Sequence, residues 1–468
     1  MEENKDLVYE NASLKKSKNE LEGQIKVMKK QVAELQREVE SYRNTLAKIP
    51  PELVDKEFRP DIQARSLRFK MATVLYIDIL GFKEIIEGED SRTKIDQLDQ
   101  IFIQFDTIAE KHKIQKIRTL GDSYMCAGGV PVKNITNPLD VVLAAMEMKE
   151  YIEEMDRLNG GGMPKFWGFK FGIHTGPVTA TVRGKKKISY DLTGDVVNIA
   201  TRLASASEVG DIIVSDMTHV LIQGYFVCKF KNQIPARYQG FLELYHVKRI
   251  KPAYSEDRKV GMKPNKIFQI RYLLRQFTDL QEVILDKLTK ELPTFLYYHD
   301  VRHTIDVVNQ AELIGIGEGV DDESILLLKT AALFHDVGHT IGYDNHEYFG
   351  TQIAKEMLPL NKYTDEQIDI ICDIIMATKM PPNPQTLLQK IICDSDLDYL
   401  GRRDFIGVSD TLYKELKEQN KIGSLNDWNK LQVKFLEVHQ FYTNTSQKLR
   451  EVNKKSQIDR IKEQIIED

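Results

Sequence analysis

The spacing of apolar positions changes along this chain, and each change marks a different architecture. Over residues 1–49, Leu14, Leu21, Met28, Leu35 and Tyr42 recur every seven residues, interleaved with Ile25, Val32, Val39 and Leu46. The alternating steps of three and four put them on one seam, β-branched residues mostly at a and leucine mostly at d. That pattern predicts a parallel two-stranded coiled coil. Upstream, the a register falls on Asn11 and Lys18, polar residues that specify pairing at some cost in stability, and Glu38 at g can reach Arg43 at e of the partner. "IPPELVDKEFRP" (Ile49–Pro60) then breaks the helix with prolines.

From about residue 69 to 250, strand-like and helix-like patterns alternate. "MATVLYIDILGF" reads as a buried strand, 95–112 as a helix, 114–130 as a hairpin, 137–157 as a helix, and "FWGFKFGIHTGPVTATVRG" as a further strand pair. The β-α-ββ-α-β order is the ferredoxin-like arrangement of an α+β domain. Beyond the polar stretch "KPAYSEDRKVGMKPN" the runs are long and helical, as in "IFQIRYLLRQFTDLQEVILDKLTKEL", with no strand. The expected organisation is a multidomain chain: a coiled coil (1–49), a linker (50–68), the α+β domain (69–250), a second linker (251–265) and an all-α domain (266–468).

Composition narrows the function classes. At 468 residues the chain holds several domains, and a net charge of −5 argues against a nucleic-acid binder held by phosphate contacts. No window reaches 18 uninterrupted apolar residues, so no membrane span is expected. Cys126, Cys228, Cys372 and Cys393 are scattered without ligand spacing, as for reduced thiols in a cytoplasm. Histidine is clustered instead: five of the ten fall between His299 and His346.

Two constellations carry chemistry. In the first, "LYIDILGF" ends a strand with Asp78, and "LGDSY" puts Asp122 at a hairpin tip. On neighbouring strands the two carboxylates converge, and paired oxygen ligands suit Mg²⁺ or Mn²⁺ shared with substrate phosphates. Two such ions can activate a hydroxyl and neutralise a triphosphate. In "SYDLTGDVVNIATRLASA" a helix begins after Gly194, and Asn198 and Arg202 stand four apart on one face, a clamp for phosphate. Taken singly, each has a plain reading as a turn-forming aspartate or a surface arginine.

Together the motifs YIDILGF, RTLGD and DLTGDVVNIATR resemble the class III nucleotidyl cyclases over residues 69–250, whose pattern is F-x-D-I-x-G-F, K-x-x-G-D and D-x-x-G-x-x-V-N-x-A-x-R. The resemblance implies that Asp78, Ile79 and Asp122 form the site for two metal ions (Mg²⁺ or Mn²⁺), that Asn198 orients the ribose, and that Arg202 stabilises the pentacovalent phosphorus. The 3′-hydroxyl attacks the α-phosphate, releasing pyrophosphate and a 3′,5′-cyclic nucleotide. It also implies sites composed across a dimer interface, which gives the coiled coil a purpose. "IPARYQGFLELY" resembles the family strand bearing a phosphate-binding lysine, with Arg237 in that position. Adenine-specific members read the base with a lysine and an aspartate; this chain has Asp191 but Arg118 in the lysine's place. A carboxylate only accepts, so Asp191 wants the exocyclic amine of adenine or cytosine, whereas guanine and uracil present a carbonyl. Arg118 is a donor-only fork. ATP is the first expected substrate, CTP the next, GTP and UTP the last.

In the second constellation, "YYHDVRHTIDVV" sets His299 and His303 on one helix face, "AALFHDVGHTIG" adds His335, Asp336 and His339, "DNHEYFG" adds His346, and "IICDSDLDYLG" adds Asp394, Asp396 and Asp398. A His-Asp pair closing an apolar helix is costly to bury unless something pairs it. Imidazoles with carboxylates suit a first-row divalent ion. These residues resemble the HD superfamily of metal-dependent phosphohydrolases over residues 266–405, with the set H…HD…D at His303, His335, Asp336 and Asp396. The resemblance implies a divalent metal there (Mn²⁺, Fe²⁺, Zn²⁺ or Mg²⁺). The run around His299 is similar to the cyclic nucleotide phosphodiesterase motif Y-H-N-x-x-H-x-x-D-V, which makes His299 the general acid. His339 and His346 are candidates for a second metal or its water shell. Asp300 replaces the motif's asparagine, and "IIMATKMPP" lacks the His-His pair of the HD-GYP branch. "HDVGH" lacks the acidic residues that hydrolases of (p)ppGpp need.

The expectation is a cytoplasmic homodimer that makes a cyclic nucleotide and hydrolyses a phosphodiester, the same nucleotide being the leading substrate. The alternatives are an HD module acting on an unrelated phosphoester and a degenerate dimeric nucleotide or metal sensor.

Overall fold

The computed structural model describes residues 66–466, apart from 83–86, 88–90, 159–167, 184–188, 237–239 and 258–259. The expected coiled coil over 1–49 and Arg237 lie outside the described residues.

Strand β1 (Ser66–Leu80) is apolar on both faces because both are covered. Leu75, Ile77 and Ile79 face helices α1 (Ser91–Lys111) and α2 (Asn137–Leu158). Ala72, Val74 and Tyr76 face α3 (Asp195–Ser205) on the other side. The hairpin of β2 (Gln115–Leu120) and β3 (Ser123–Gly128) pairs antiparallel with β1, and β4 (Gly168–Arg183) takes β1's other edge. The resulting order β2-β3-β1-β4 is the ferredoxin-like core. The sheet continues through β6 (Ile212–Ser215), parallel to β4, to β8 (Phe241–Ile250) and β7 (Phe226–Pro235), while β5 (Ser189–Thr193) pairs with β4. Helix α4 (Asp216–Ile222) follows β6.

The segment expected as a strand pair is one 16-residue strand, β4. Its Gly176-Pro177 dipeptide does not turn the chain. Ala72 pairs with Gly176 and Phe69 with Val178, so β1 carries an extra residue opposite Pro177. A bulge in the partner absorbs the proline's missing donor.

Past residue 265 no strand occurs among the described residues. The helices are α5 (Lys266–Glu291), α6 (Val301–Gly317), α7 (Asp322–Phe334), α8 (His346–Met357), α9 (Asp365–Met376), α10 (Leu387–Asp396), α11 (Phe405–Glu418), α12 (Leu425–Val438) and α13 (Val452–Lys462). Their starts are written in the sequence. Asn265 caps α5, Asp300 accepts from the amides of Arg302 and His303 at the head of α6, and Thr364 with Gln367 forms a capping box on α9. Around this stretch Ser255 bridges Pro264, and the Ile250 amide donates to the Gly261 carbonyl at 2.8 Å. Phe268 of α5 then packs edge-on against Tyr225 and Phe226, with centroids at 5.2 and 6.2 Å. One apolar core therefore runs from the sheet into the helices. None of the described helices is long and apolar enough to cross a membrane.

Candidate active sites

The first site gathers where β1 ends. Asp78 lies opposite Ser123 of β3 and Lys170 of β4, and the Ile79 amide donates to the Asp122 carbonyl at 2.8 Å. That bond ties the hairpin tip to the strand end and sets the two aspartates side by side. Burial raises the pKa of Asp78, the charge on Asp122 raises it further, and Lys170 opposes both. Two carboxylates that repel each other at a sheet end fit a divalent cation. The tip is tight because Gly121 turns with φ +48°, and a Cβ there would sit 3.2 Å from the Phe82 ring.

Helix α3 is seated by an absence of side chain. A Cβ on Gly172 of β4 would come within 2.1 Å of the Ala200 carbonyl and 2.3 Å of the Ala204 nitrogen. The helix backbone therefore lies directly on the strand and turns Asn198 outward, exposed. The Arg202 guanidinium reaches the Pro235 carbonyl at the end of β7. Among the described residues, no hydrogen bond or ion pair joins Asp78 or Asp122 to Asn198 or Arg202. Arg118 is exposed on β2, and β5, which carries Asp191, packs against that strand.

In the second site the folding of three helix ends brings four ligand atoms together. His303 Nε2 lies 3.3 Å from Asp336 Oδ2 and 3.1 Å from Asp396 Oδ1. His335 Nε2 lies 3.1 Å from Asp336 Oδ2, 3.7 Å from Asp396 Oδ1 and 3.3 Å from His303 Nε2. The Ala332 carbonyl accepts from His335 Nδ1 at 2.7 Å, which fixes the tautomer and turns a lone pair on Nε2 inward. Burial works against charge on both imidazoles, yet Asp336 and Asp396 push His303 up to about 9 and His335 well above its usual range. The carboxylates demand positive charge at this point, and the N/O donor set fits a first-row divalent ion.

Asp336 also faces a second group. Its Oδ1 is 3.5 Å from His346 Nε2 and 3.9 Å from His339 Nε2, and the two rings stack at 3.9 Å. His346 Nδ1 bonds the Tyr343 carbonyl, leaving Nε2 inward. His339 is buried with neither ring nitrogen hydrogen-bonded, and burial lowers its pKa to about 3, which keeps the imidazole in the neutral form that can ligate a metal. One carboxylate thus bridges two imidazole pairs. The other two acids of "DSDLD" are structural: Asp394 accepts from the amides of Tyr442 and Thr443, and Asp398 pairs with Arg450 at 2.7 Å.

His299 borders this centre, its ring 4.8 Å from that of His339. Its Nδ1 meets Glu415 Oε1 at 2.5 Å, while Glu415 Oε2 accepts the amides of Tyr298 (3.0 Å) and His299 (3.2 Å). Glu415 is wholly buried, and although burial alone would raise its pKa, the His299 contact and these amides hold it below the usual carboxylate range. Nothing around Glu415 in the sequence marks it. Its only local signal is an acid at a helix position that the fold buries.

Two cavities open on the centre. One of about 560 Å³, reaching His303 and Asp396, has Arg302, Asn309, Arg402 and Thr411 in a lining of mixed character. An apolar one of about 320 Å³ reaches His299 and Asp396 between Phe405, Trp428 and Phe435, with the Gln432 carboxamide in its wall.

Comparison with known proteins matches these two regions separately. Residues 65–249 match the adenylate and guanylate cyclase catalytic domain family, and residues 300–398 match the HD domain family. An adenylate cyclase of Mycobacterium tuberculosis is 27% identical over 219 residues, 47% of this chain and 47% of the relative. A membrane guanylyl cyclase of Dictyostelium discoideum is 33% identical over 214 residues, 46% of this chain and 14% of the relative. The chain thus spans about half, or less, of the length of the curated relatives it matches. Among solved structures, the adenylyl cyclase CyaB from P. aeruginosa is 28% identical, covering 39% of this chain and 95% of that one at a TM-score of 0.36. Residues 65–249 are a class III nucleotidyl cyclase catalytic domain, joined in one chain to an HD domain at residues 300–398.

Proposed function

We propose that the chain is a second-messenger enzyme that cyclises a nucleoside triphosphate, ATP first, and hydrolyses a phosphodiester at its HD centre, the cyclic product being the leading substrate. The observation that carries the hydrolytic half is the convergence of two imidazole pairs on the Asp336 carboxylate. The apposition of Asp78 and Asp122 carries the cyclase half.

In the cyclase site Asp78, Ile79 and Asp122 hold two divalent ions, which supply hydroxyl activation and neutralisation of the triphosphate. Arg202 places its guanidinium against the charge that develops on phosphorus, and Asn198 orients the ribose. Among the described residues Arg202 donates to a backbone carbonyl at the end of β7, which a phosphate can displace. Asp191 accepts from an exocyclic amine and Arg118 donates to the neighbouring ring edge, which favours adenine over guanine. Arg237 adds a further phosphate contact. Among the described residues no hydrogen bond or ion pair joins Asp78 or Asp122 to Asn198 or Arg202, which supports composite sites in a parallel homodimer.

At the HD centre His303, His335, Asp336 and Asp396 hold one divalent ion, with His339 and His346 toward a second. Ions bound there supply Lewis-acid activation of water and of the phosphoryl oxygens. His299 has its Nδ1–H committed to Glu415, so its Nε2 is the face that gives a proton to the leaving oxygen. The apolar cavity beside His299 seats the organic part of the ester, with Gln432 as its polar handle.

The test is incubation of the purified chain with each of the four triphosphates and Mg²⁺ or Mn²⁺, with products identified by mass. Cyclic AMP followed by 5′-AMP is expected. Asp336→Ala should accumulate the cyclic product, and Asp122→Ala should make neither. A wild-type chain that leaves all four triphosphates intact would sink the proposal.

A further inference from the structure

Asp140, in the first turn of α2, is 1% exposed and, among the described residues, bonds to none of the site residues. Its Oδ1 accepts from the Tyr272 hydroxyl of α5 (2.8 Å) and from Lys362 Nζ (3.0 Å), which stands between α8 and α9. Its Oδ2 accepts from the Thr136 hydroxyl (2.9 Å) and Asn134 Nδ2 (3.2 Å). Behind it the bonds continue into the sheet. Asn137 Nδ2 donates to the Asn134 carbonyl (2.5 Å), and the Thr73 hydroxyl donates to Asn137 Oδ1 (2.6 Å). Thr73 meets Thr175 of β4 at 2.9 Å, Thr175 meets Thr218 of α4 at 3.0 Å, Thr218 meets Ser215 at 3.3 Å, and Ser215 meets His174 Nδ1 at 2.7 Å.

The donors along this path are forced. The Thr73 proton is committed to Asn137, so Thr73 must accept from Thr175, which must accept from Thr218, which accepts from Ser215. Donation therefore runs one way, from His174 Nδ1–H to the Asn134 carbonyl, and the side-chain amide of the same Asn134 donates to the Asp140 carboxylate. Every member but Asn134 and Lys362, which are half-buried, is buried, and a satisfied buried polar network tends to change as a unit rather than piecemeal. Such a network is a contiguous physical connection of the kind that can carry coupling between distant sites.

We infer that this relay couples the cyclase sheet to the HD helices, so that the position of the α8–α9 connection, read through Lys362, sets the geometry of β1 and the hairpin it holds. Thr73 lies on β1, the strand that carries Asp78, and α8 begins at His346. When Lys362 withdraws, Asp140 is one donor short. The 134–137 loop then re-forms its bonds around the carboxylate, turning Asn137 and the hydroxyls behind it. The consequence for turnover rests on the reading of both modules as enzymes; the coupling itself does not.

The experiment is amide hydrogen exchange on the full chain. Lys362→Met should speed exchange about tenfold at 134–140 and also at 73–80 and 119–125. In a Thr73→Val background, which keeps the side-chain shape, the same change should reach 134–140 but leave 119–125 unmoved. A response that stops at 140 in the otherwise native chain, or that passes undiminished through Thr73→Val, overturns the relay. A second arm adds Mn²⁺ alone to a chain carrying Asp78→Ala and Asp122→Ala. Protection of both 299–346 and 119–125 supports the coupling, and protection of 299–346 alone overturns it. No protection of 299–346 overturns instead the metal reading of the HD centre, and the Lys362→Met arm then decides the coupling by itself.

Discussion

Replacing Glu415 by glutamine isolates what a buried carboxylate does for the HD centre. Glu415 takes three N–H donors on two oxygens, His299 Nδ1 on one and the Tyr298 and His299 amides on the other. Glutamine has a single carbonyl oxygen, so its NH₂ must face one of the two donor sets. Each orientation costs either the charge-assisted bond to His299 or both amide bonds, and leaves a donor facing a donor. A hydrogen bond to a charged group contributes about 1.5–3 kcal/mol, and an unsatisfied buried donor costs a similar amount, so Glu415→Gln should destabilise by roughly 2–3 kcal/mol. The larger effect is on rate. Without the carboxylate the His299 ring is free to turn or change tautomer, and a general acid is worth about 10²–10⁴-fold. Urea unfolding with Mn²⁺ present measures the first quantity. Hydrolysis of cyclic AMP and of bis-p-nitrophenyl phosphate by the same samples measures the second. Because bis-p-nitrophenyl phosphate has a good leaving group that needs little protonation, its rate should fall far less than that of the cyclic nucleotide. Equal losses on both substrates, or no loss on either, would refute the assignment of Glu415 as the residue that positions a proton donor.

Other perturbations separate the remaining claims. Gly172→Ala drives a methyl into the backbone of α3, so it should cost about 3 kcal/mol in urea unfolding and abolish cyclisation by displacing Asn198 and Arg202. Arg118→Lys should retain or improve cyclic AMP formation in a mass assay; a loss of ATP activity would show that the arginine reads a different base. Burial pushes His174 down to about 4, with Asp216 opposing. The unfolded chain therefore binds a proton that the fold refuses, and the contribution of His174 is intact above its ordinary value near 6.5 and is lost as pH falls toward 4. Urea unfolding of His174→Asn across that window should show a shallower fall than the parent, by up to roughly 3 kcal/mol.

Much of this was readable before any coordinates, and the reason is local. Asp78, Asp122, Asn198 and Arg202 sit in short motifs whose glycines and helix starts dictate strand end, hairpin tip and helix face. His303, His335 and Asp336 were marked by their own improbability at the ends of apolar helices. What escaped depends on pairings distant in sequence. Glu415 meets His299 across 116 residues, and no period or motif announces such a contact. Asp394, Asp396 and Asp398 alternate along the chain, and only packing against Tyr442, Thr443 and Arg450 decides that Asp396 alone faces the imidazoles. The single long β4 was missed because a Gly-Pro dipeptide ordinarily signals a turn, and its accommodation lies in the partner strand.

Helix α5 has a consequence for how such a chain can be assembled or cut. Its Phe268 packs on Tyr225 and Phe226, and its Arg275 donates to the Leu221 carbonyl. On the opposite side Phe277 receives Lys329 from α7 over its ring at 5.1 Å. A protease cut or a truncation placed in the polar stretch 251–265 therefore separates two halves of one interior, and each fragment inherits an uncovered apolar face. Because the far face of α5 is buried with the helices that follow it, a cut beyond α5 uncovers apolar surface as well, so an isolated cyclase fragment ended on either side of that helix should self-associate.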